Sequence, residues 1–139
     1  MTPLYAQNHD YSAFNVLAVD DIPLNLILVQ KMLSRFNFEM RTAPSGQLAL
    51  DAVAEKKPDL ILLDLMMPGI DGFEVIRRLR ADPATADVRI VILSALNSSE
   101  DVVKGFNVGA DDFIMKPIIM EKLLSCVITQ LQVAAAKKQ

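Results

Sequence analysis

Hydrophobic and polar positions along the chain follow two rhythms in turn. Short apolar runs of β type occur at 16–19, 38–43, 60–63, 90–93 and 113–115, and segments of helical period lie between them. That alternation predicts an α/β fold, a five-stranded parallel sheet with helices on both faces. Leu60-Ile61-Leu62-Leu63 is uninterrupted, and 88–93 nearly so, as expected of central strands covered on both sides. Residues 38–43 instead alternate, which predicts a strand at the rim of the sheet.

The helices are announced at their starts. Asp71 with Glu74 three residues on forms a capping-box pattern, in which Asp71 satisfies free amides and Glu74 reaches back. It predicts a helix over 72–80 that buries Phe73, Ile76 and Leu79. Ser98 with Asp101 repeats the pattern, opening a helix that buries Val102, Val103 and Phe106 and ends at Gly109 in a left-handed cap. Pro23 suits the first turn of the first helix, and 122–132 reads as the last. The expected organisation is an amino-terminal tail at 1–14, one domain at 15–132, and a frayed helix end or linker start at 133–139.

At 139 residues the chain fits one domain with a real core. Asn25, Gln30, Lys31 and Asp64 interrupt every apolar run well short of the roughly 18–20 residues that span a bilayer. No basic segment followed by an apolar one opens the chain, so the expected location is cytoplasmic. A net charge of −3 provides no basic face for nucleic acid. Cys126 is the single cysteine and, among Leu123, Leu124, Val127 and Ile128, reads as a buried small hydrophobe. His9 lies in the polar tail and has no assigned role.

Right-handed crossovers put the carboxyl ends of parallel strands on one edge, where ligands bind. Strand one delivers Asp20 and Asp21 to that edge, strand three Asp64, strand four Ser94 and strand five Lys116. Singly, most have ordinary explanations: helix capping for Asp20 or Asp21, a turn for Ser94, a solvated charge for Lys116. Asp64 is different, because it stands inside the apolar stretch 60–67, where an unpaired charge costs several kcal/mol. Three converging carboxylates repel unless a cation intervenes, and a hard, oxygen-binding ion such as Mg2+ fits. With Lys116 and the Ser94 hydroxyl added, the set is what phosphoryl transfer to a carboxylate requires.

Four segments carry a resemblance: Val16-Leu17-Ala18-Val19-Asp20-Asp21; 59–72, which holds Asp64-Leu65-Met66-Met67-Pro68; Ile92-Leu93-Ser94-Ala95; and 109–117, which ends Phe113-Ile114-Met115-Lys116-Pro117. Over about 16–131 the chain resembles the receiver domain of bacterial two-component response regulators. The resemblance implies a flavodoxin-like sheet of order 2-1-3-4-5 and Asp64 as phosphoacceptor. It implies Mg2+ on Asp21, Asp64 and the Met66 carbonyl, with Asp20 acting through bound water. Ser94 and Lys116 would bind phosphoryl oxygens, Ser94 and Phe113 would act as switch residues, and Lys116-Pro117 would be a cis peptide. Phe113 stands where the family often has tyrosine, so an output that needs the hydroxyl is in doubt.

The implied partner is a histidine kinase or histidine phosphotransfer protein, with a phosphohistidine docking over the rim. The chain would catalyse only its own phosphorylation and dephosphorylation, and the α4-β5-α5 surface would change for output. Met66 and Leu96 are apolar where a polar group could orient attacking water, which predicts a phosphorylated state that is not especially short-lived. An aspartyl-phosphate phosphohydrolase usually carries a second acid two residues after its nucleophile, and Met66 stands there. A flavodoxin-like cofactor binder would need a hydroxyl- and glycine-rich cradle, which 20–23 lack. A pure interaction module would be expected to have lost one of the five polar residues, and all are present. The downstream effector is unassigned, and the resemblance allows dimerisation on phosphorylation. The chain reads either as a stand-alone phosphorelay protein or as a receiver from a larger regulator or hybrid kinase.

Overall fold

The computed structural model describes residues 10–137; His9 lies outside them. Elements alternate along the chain as β1 (Asn15–Val19), α1 (Pro23–Met32), β2 (Glu39–Ala43), α2 (Gly46–Glu55), β3 (Leu60–Leu63), α3 (Gly72–Ala81), β4 (Arg89–Ser94), α4 (Ser99–Val108), β5 (Asp112–Met115) and α5 (Met120–Lys137). The five strands are parallel and ordered β2-β1-β3-β4-β5, as expected. β1, β3 and β4 are buried almost throughout, whereas β2, at the edge, is largely open to solvent.

Successive strand residues face opposite layers. Val16, Ala18, Leu60, Leu62, Val91 and Leu93 pack with Val29 of α1, with Leu33 at its end, and with Leu123, Leu124, Val127 and Leu131 of α5. Leu17, Val19, Ile61, Leu63, Ile90 and Ile92 turn to the other side, against Ala49 and Val53 of α2 and Val75, Ile76 and Leu79 of α3. The sheet thus lies between two apolar cores. In register, Val19 stands beside Leu63, Leu63 beside Ile92, and Ser94 beside Met115, which lines the strand ends along one edge.

Capping chemistry sets the helix starts. Asp71 accepts the Glu74 amide at 2.9 Å, and Ser98 accepts the Asp101 amide at 3.1 Å. Ser45 caps α2 in the same way, from Leu48, and Pro23 opens α1. Glu74 does not reach back over the α3 start. Arg77 and Arg78 capture it, and their guanidinium groups hold its carboxyl down at about 2. Gly109 closes α4 at φ 121°, a conformation that favours glycine.

The buried face expected of α4 is corrected. Val103 and Phe106 are exposed, Val102 is only half-buried, and Gly105 is the residue that meets the sheet. A Cβ at Gly105 would stand 2.8 Å from Ile92 Cδ1 and 3.3 Å from the Phe113 ring, so the absence of a side chain lets α4 approach there. The helix is rotated to present its smallest residue inward. The packed body also extends past 15–132 at both ends. Tyr11 is buried against Phe14 and Phe36, and α5 continues to Lys137 with Ala134 buried. Alanines 134–136 favour helix strongly enough to carry it on. Cys126 is buried, its thiol 3.3 Å from Asp112, and burial pushes its pKa up to about 12.

Candidate functional site

Two strand ends meet in one acidic cluster. Asp20 follows β1, with its amide bonded to the Ala43 carbonyl; Asp64 follows β3, with its amide bonded to the Val19 carbonyl. The sheet ladder therefore runs one residue beyond the strands and fixes both backbones. Asp20, Asp21 and Asp64 each present an oxygen within 4.8 Å of the others. Asp20 and Asp64 are buried, and Asp21 is half-buried.

Each carboxylate has a defined set of donors. Asp20 Oδ1 accepts the Ile22 amide at 2.9 Å, and Oδ2 accepts Asn25 Nδ2 at 3.1 Å and Lys116 Nζ at 2.9 Å. Asp64 Oδ1 accepts the Leu65 amide at 2.8 Å and the Met66 amide at 3.5 Å, while Oδ2 lies 3.9 Å from Lys116 Nζ. Lys116 thus bridges two acids and sits closer to Asp20. Burial raises the Asp64 pKa above the ordinary carboxylate value, and the Asp20 charge adds to that; Lys116 and the two amides oppose it.

Ser94 is fully buried at the end of β4, its hydroxyl accepting the Leu96 amide at 3.1 Å and its carbonyl accepting the Lys116 amide at 2.8 Å. The Lys116-Pro117 peptide is cis. Phe113, half-buried in β5, packs beside Gly105 of α4. Met66 is 59% exposed, and with Leu96, Met67, Pro68 and Phe73 it lines an apolar groove on the loops after β3 and β4. All the residues expected at the rim therefore stand at the same edge. Asn25 was missed. It had served only to break an apolar run, yet it reaches back five positions to Asp20 from the first turn of α1. A polar residue on the inner side of an otherwise apolar helix start was the available signal.

A lysine poised between two buried acids, on the carboxyl edge of a 2-1-3-4-5 sheet, invites comparison with known proteins. Residues 16–128 match the model of the response regulator receiver domain. The chain belongs to that family. Response regulator PleD of Caulobacter vibrioides is 45% identical over 103 residues, covering 74% of this chain and 23% of PleD. The DNA-binding response regulator MtrA of Mycolicibacterium smegmatis is 42% identical over 117 residues, 84% of this chain and 50% of MtrA. Among solved structures, Vibrio cholerae chemotaxis protein CheY4 matches with a TM-score of 0.78 at 31% identity, covering 84% of this chain and 97% of that one.

This receiver domain thus spans half or less of the length of those two curated relatives. As a family, receiver domains take part in phosphoryl transfer in two-component systems, working with histidine kinases and effector domains rather than turning over a separate substrate. The receiver's acidic cluster is one that could hold a metal ion. No helix among its described residues is long and apolar enough to cross a membrane.

Proposed function

We propose that Asp64 is the phosphoacceptor of this receiver, taking the group from a phosphohistidine on a cytoplasmic histidine kinase or phosphotransfer protein. In the transfer an Asp64 oxygen–phosphorus bond forms as the histidine nitrogen–phosphorus bond breaks, and the imidazole leaves with the electron pair. The observation that carries this reading is Asp64 itself: a carboxylate only 6% exposed, ending an apolar strand, with an ammonium 3.9 Å away and two further acids beside it. Lys116 neutralises charge on the transferring oxygens, and Ser94 donates a hydrogen bond to one of them. The Leu65 and Met66 amides hold the acceptor in place.

The donor set also suits Mg2+. Three carboxylates supply hard oxygen ligands within 4.8 Å of one another, and their mutual repulsion is relieved by a divalent charge. Asp21, Asp64 and the Met66 carbonyl would hold the ion, and Asp20 would act through bound water. When bound, the ion supplies positive charge for the phosphoryl oxygens. Ser94 and Phe113 then couple the phosphorylated edge to the α4-β5-α5 surface, where Gly105 leaves α4 resting directly on Phe113. The apolar Met66 and Leu96 side chains leave attacking water without a partner, favouring a long-lived phosphorylated state.

The decisive experiment is acid-labile phosphate labelling from acetyl phosphate and from a cognate kinase, with and without Mg2+. Asp64→Asn abolishes labelling in every arm, and chelation suppresses it in the parent protein. Labelling of Asp64→Asn at the parental level sinks the assignment.

A further inference from the structure

Two side-chain donors converge on one oxygen of Asp20. Its Oδ2 accepts Lys116 Nζ at 2.9 Å and Asn25 Nδ2 at 3.1 Å, while Oδ1 accepts the Ile22 amide at 2.9 Å. The two donors on Oδ2 differ in kind. Lys116 is charged and stands 3.9 Å from Asp64 Oδ2, where the transfer gives it a second task. Asn25 is neutral, and beside a carboxylate only the NH2 end of its amide can donate.

Asn25 also closes a circuit. Asp20 Oδ1 takes the Ile22 amide, the Ile22 carbonyl takes the Asn25 amide at 3.0 Å, and Asn25 Nδ2 returns to Asp20 Oδ2. Pro23, inside the circuit, fixes its own φ at the start of α1. Three hydrogen bonds thus tie the acid to the first turn of the helix without help from Lys116.

The lysine is what makes this useful. To neutralise charge on oxygens at Asp64, Lys116 Nζ has to leave Asp20 Oδ2. Asp20 is only 6% exposed, so water has little access to the freed oxygen, and a buried carboxylate that loses its donor is costly. We propose that Asn25 is a positioning residue for phosphoryl transfer: it holds Asp20 in place as Lys116 crosses to Asp64, and so releases the lysine to the transferring group. A neutral donor suits this role. It fixes Asp20 without adding a positive charge that would oppose a divalent ion on Asp20, Asp21 and Asp64. The inference rests on Asp64 being the phosphoacceptor.

Two variants of the intact chain test it. Asn25→Leu is similar in size and removes the donor; Asn25→Asp keeps the shape and replaces the donor by an acceptor. For each, the measurements are the rate of Asp64 labelling from acetyl phosphate at saturating Mg2+, Mg2+ binding by calorimetry with no phosphodonor present, and urea unfolding in chelator. Asn25→Leu slows labelling about tenfold and weakens Mg2+ binding severalfold, because Lys116 then stays on Asp20 among the acids that the ion would use. Asn25→Asp slows labelling to a similar degree yet binds Mg2+ at least as tightly as the parent, since a fourth carboxylate joins the cluster. That split between binding and transfer is not the mark of a merely structural residue. Labelling at the parental rate by either variant overturns the proposal, as does a loss in both variants that raising Mg2+ restores in full. So does a loss no larger than the fraction unfolded. A parent that takes no label fails the Asp64 reading and this one together, whereas a labelled parent with equally labelled variants fails the role of Asn25 alone.

Discussion

At Asp64 two physical demands oppose each other. Burial favours the neutral acid, whereas Lys116 and two backbone amides favour the carboxylate, and burial prevails. A folded-state pKa above the unfolded value contributes stability that is fully present below the unfolded value, near 3.8, and is lost as pH rises through the raised value. Metal-free protein should therefore be less stable at neutral pH than its Asp64→Asn variant, and the difference should close toward about pH 4. Urea unfolding in chelator at both pH values checks this, and a variant less stable than the parent at neutral pH would contradict it. Asp64 was legible in the sequence because a charge inside an apolar run needs a reason. Asn25 was not, because its role depends on a turn of helix that folds its amide back over Asp20. A contact about one turn away also decides Glu74, which two arginines capture before it can reach back over the helix start.

Among the elements, those whose boundaries follow local chemistry were readable. Asp71, Ser98, Pro23 and Gly109 mark helix ends through hydrogen bonds or dihedrals that operate within four residues. The Ser45 cap of α2 works in the same way and was overlooked, since a serine before a glycine also suits a plain turn. The inward face of α4 was misread for another reason. Hydrophobic period assigns the largest apolar residues to the core, but at the closest approach of α4 to Ile92 and Phe113 there is no room for a side chain, and Gly105 stands there. Close approach of small residues matters equally at α3. A Cβ on Gly72 would lie 2.5 Å from the Asp64 carbonyl oxygen and 2.8 Å from Leu65 Cα. Both are backbone, so Gly72→Ala must displace the loop at Asp64 and Leu65. The expected cost is about 1–3 kcal/mol in urea unfolding, together with slower labelling of Asp64 from acetyl phosphate. Normal stability and normal labelling together would show that the loop yields freely.

The whole molecule has two poles. At the carboxyl edge of the sheet sit the acids, Ser94 and Lys116; at the opposite edge a polar knot ties four elements together. Asp111 binds Arg80 of α3 at 2.9 Å, Arg89 of β4 at 3.2 Å and the Ile90 amide at 2.8 Å, and Arg89 reaches Gln130 of α5. Arg80 also bonds the Gly109 carbonyl at the end of α4. Removing the shared carboxylate leaves two half-buried guanidinium groups without it. Asp111→Ala should cost about 2–4 kcal/mol while leaving the extent of Asp64 labelling unchanged, and paired unfolding and labelling measurements separate the two effects. The parallel sheet, its edge strand and its functional edge could all be read from the order of apolar runs. The knot could not, because its members lie far apart in sequence and each resembles an ordinary surface charge.

The alternation of strand residues between two cores carries a further consequence, for how the chain can change in length. Ala18 faces one layer and Val19 the other, and the ladder continues into Asp20 through the Ala43 carbonyl. Adding or removing one residue within β1 would exchange those layers and hand the place of Asp20 to a neighbour. The same holds for β3 before Asp64. Insertions are accommodated instead in the turns at the far edge, such as 82–88 between α3 and β4, whose length does not enter the strand register. Length variation among descendants of this chain should therefore gather at the pole away from Asp64, and the distance from strand to acid should stay fixed while the sequence around it drifts.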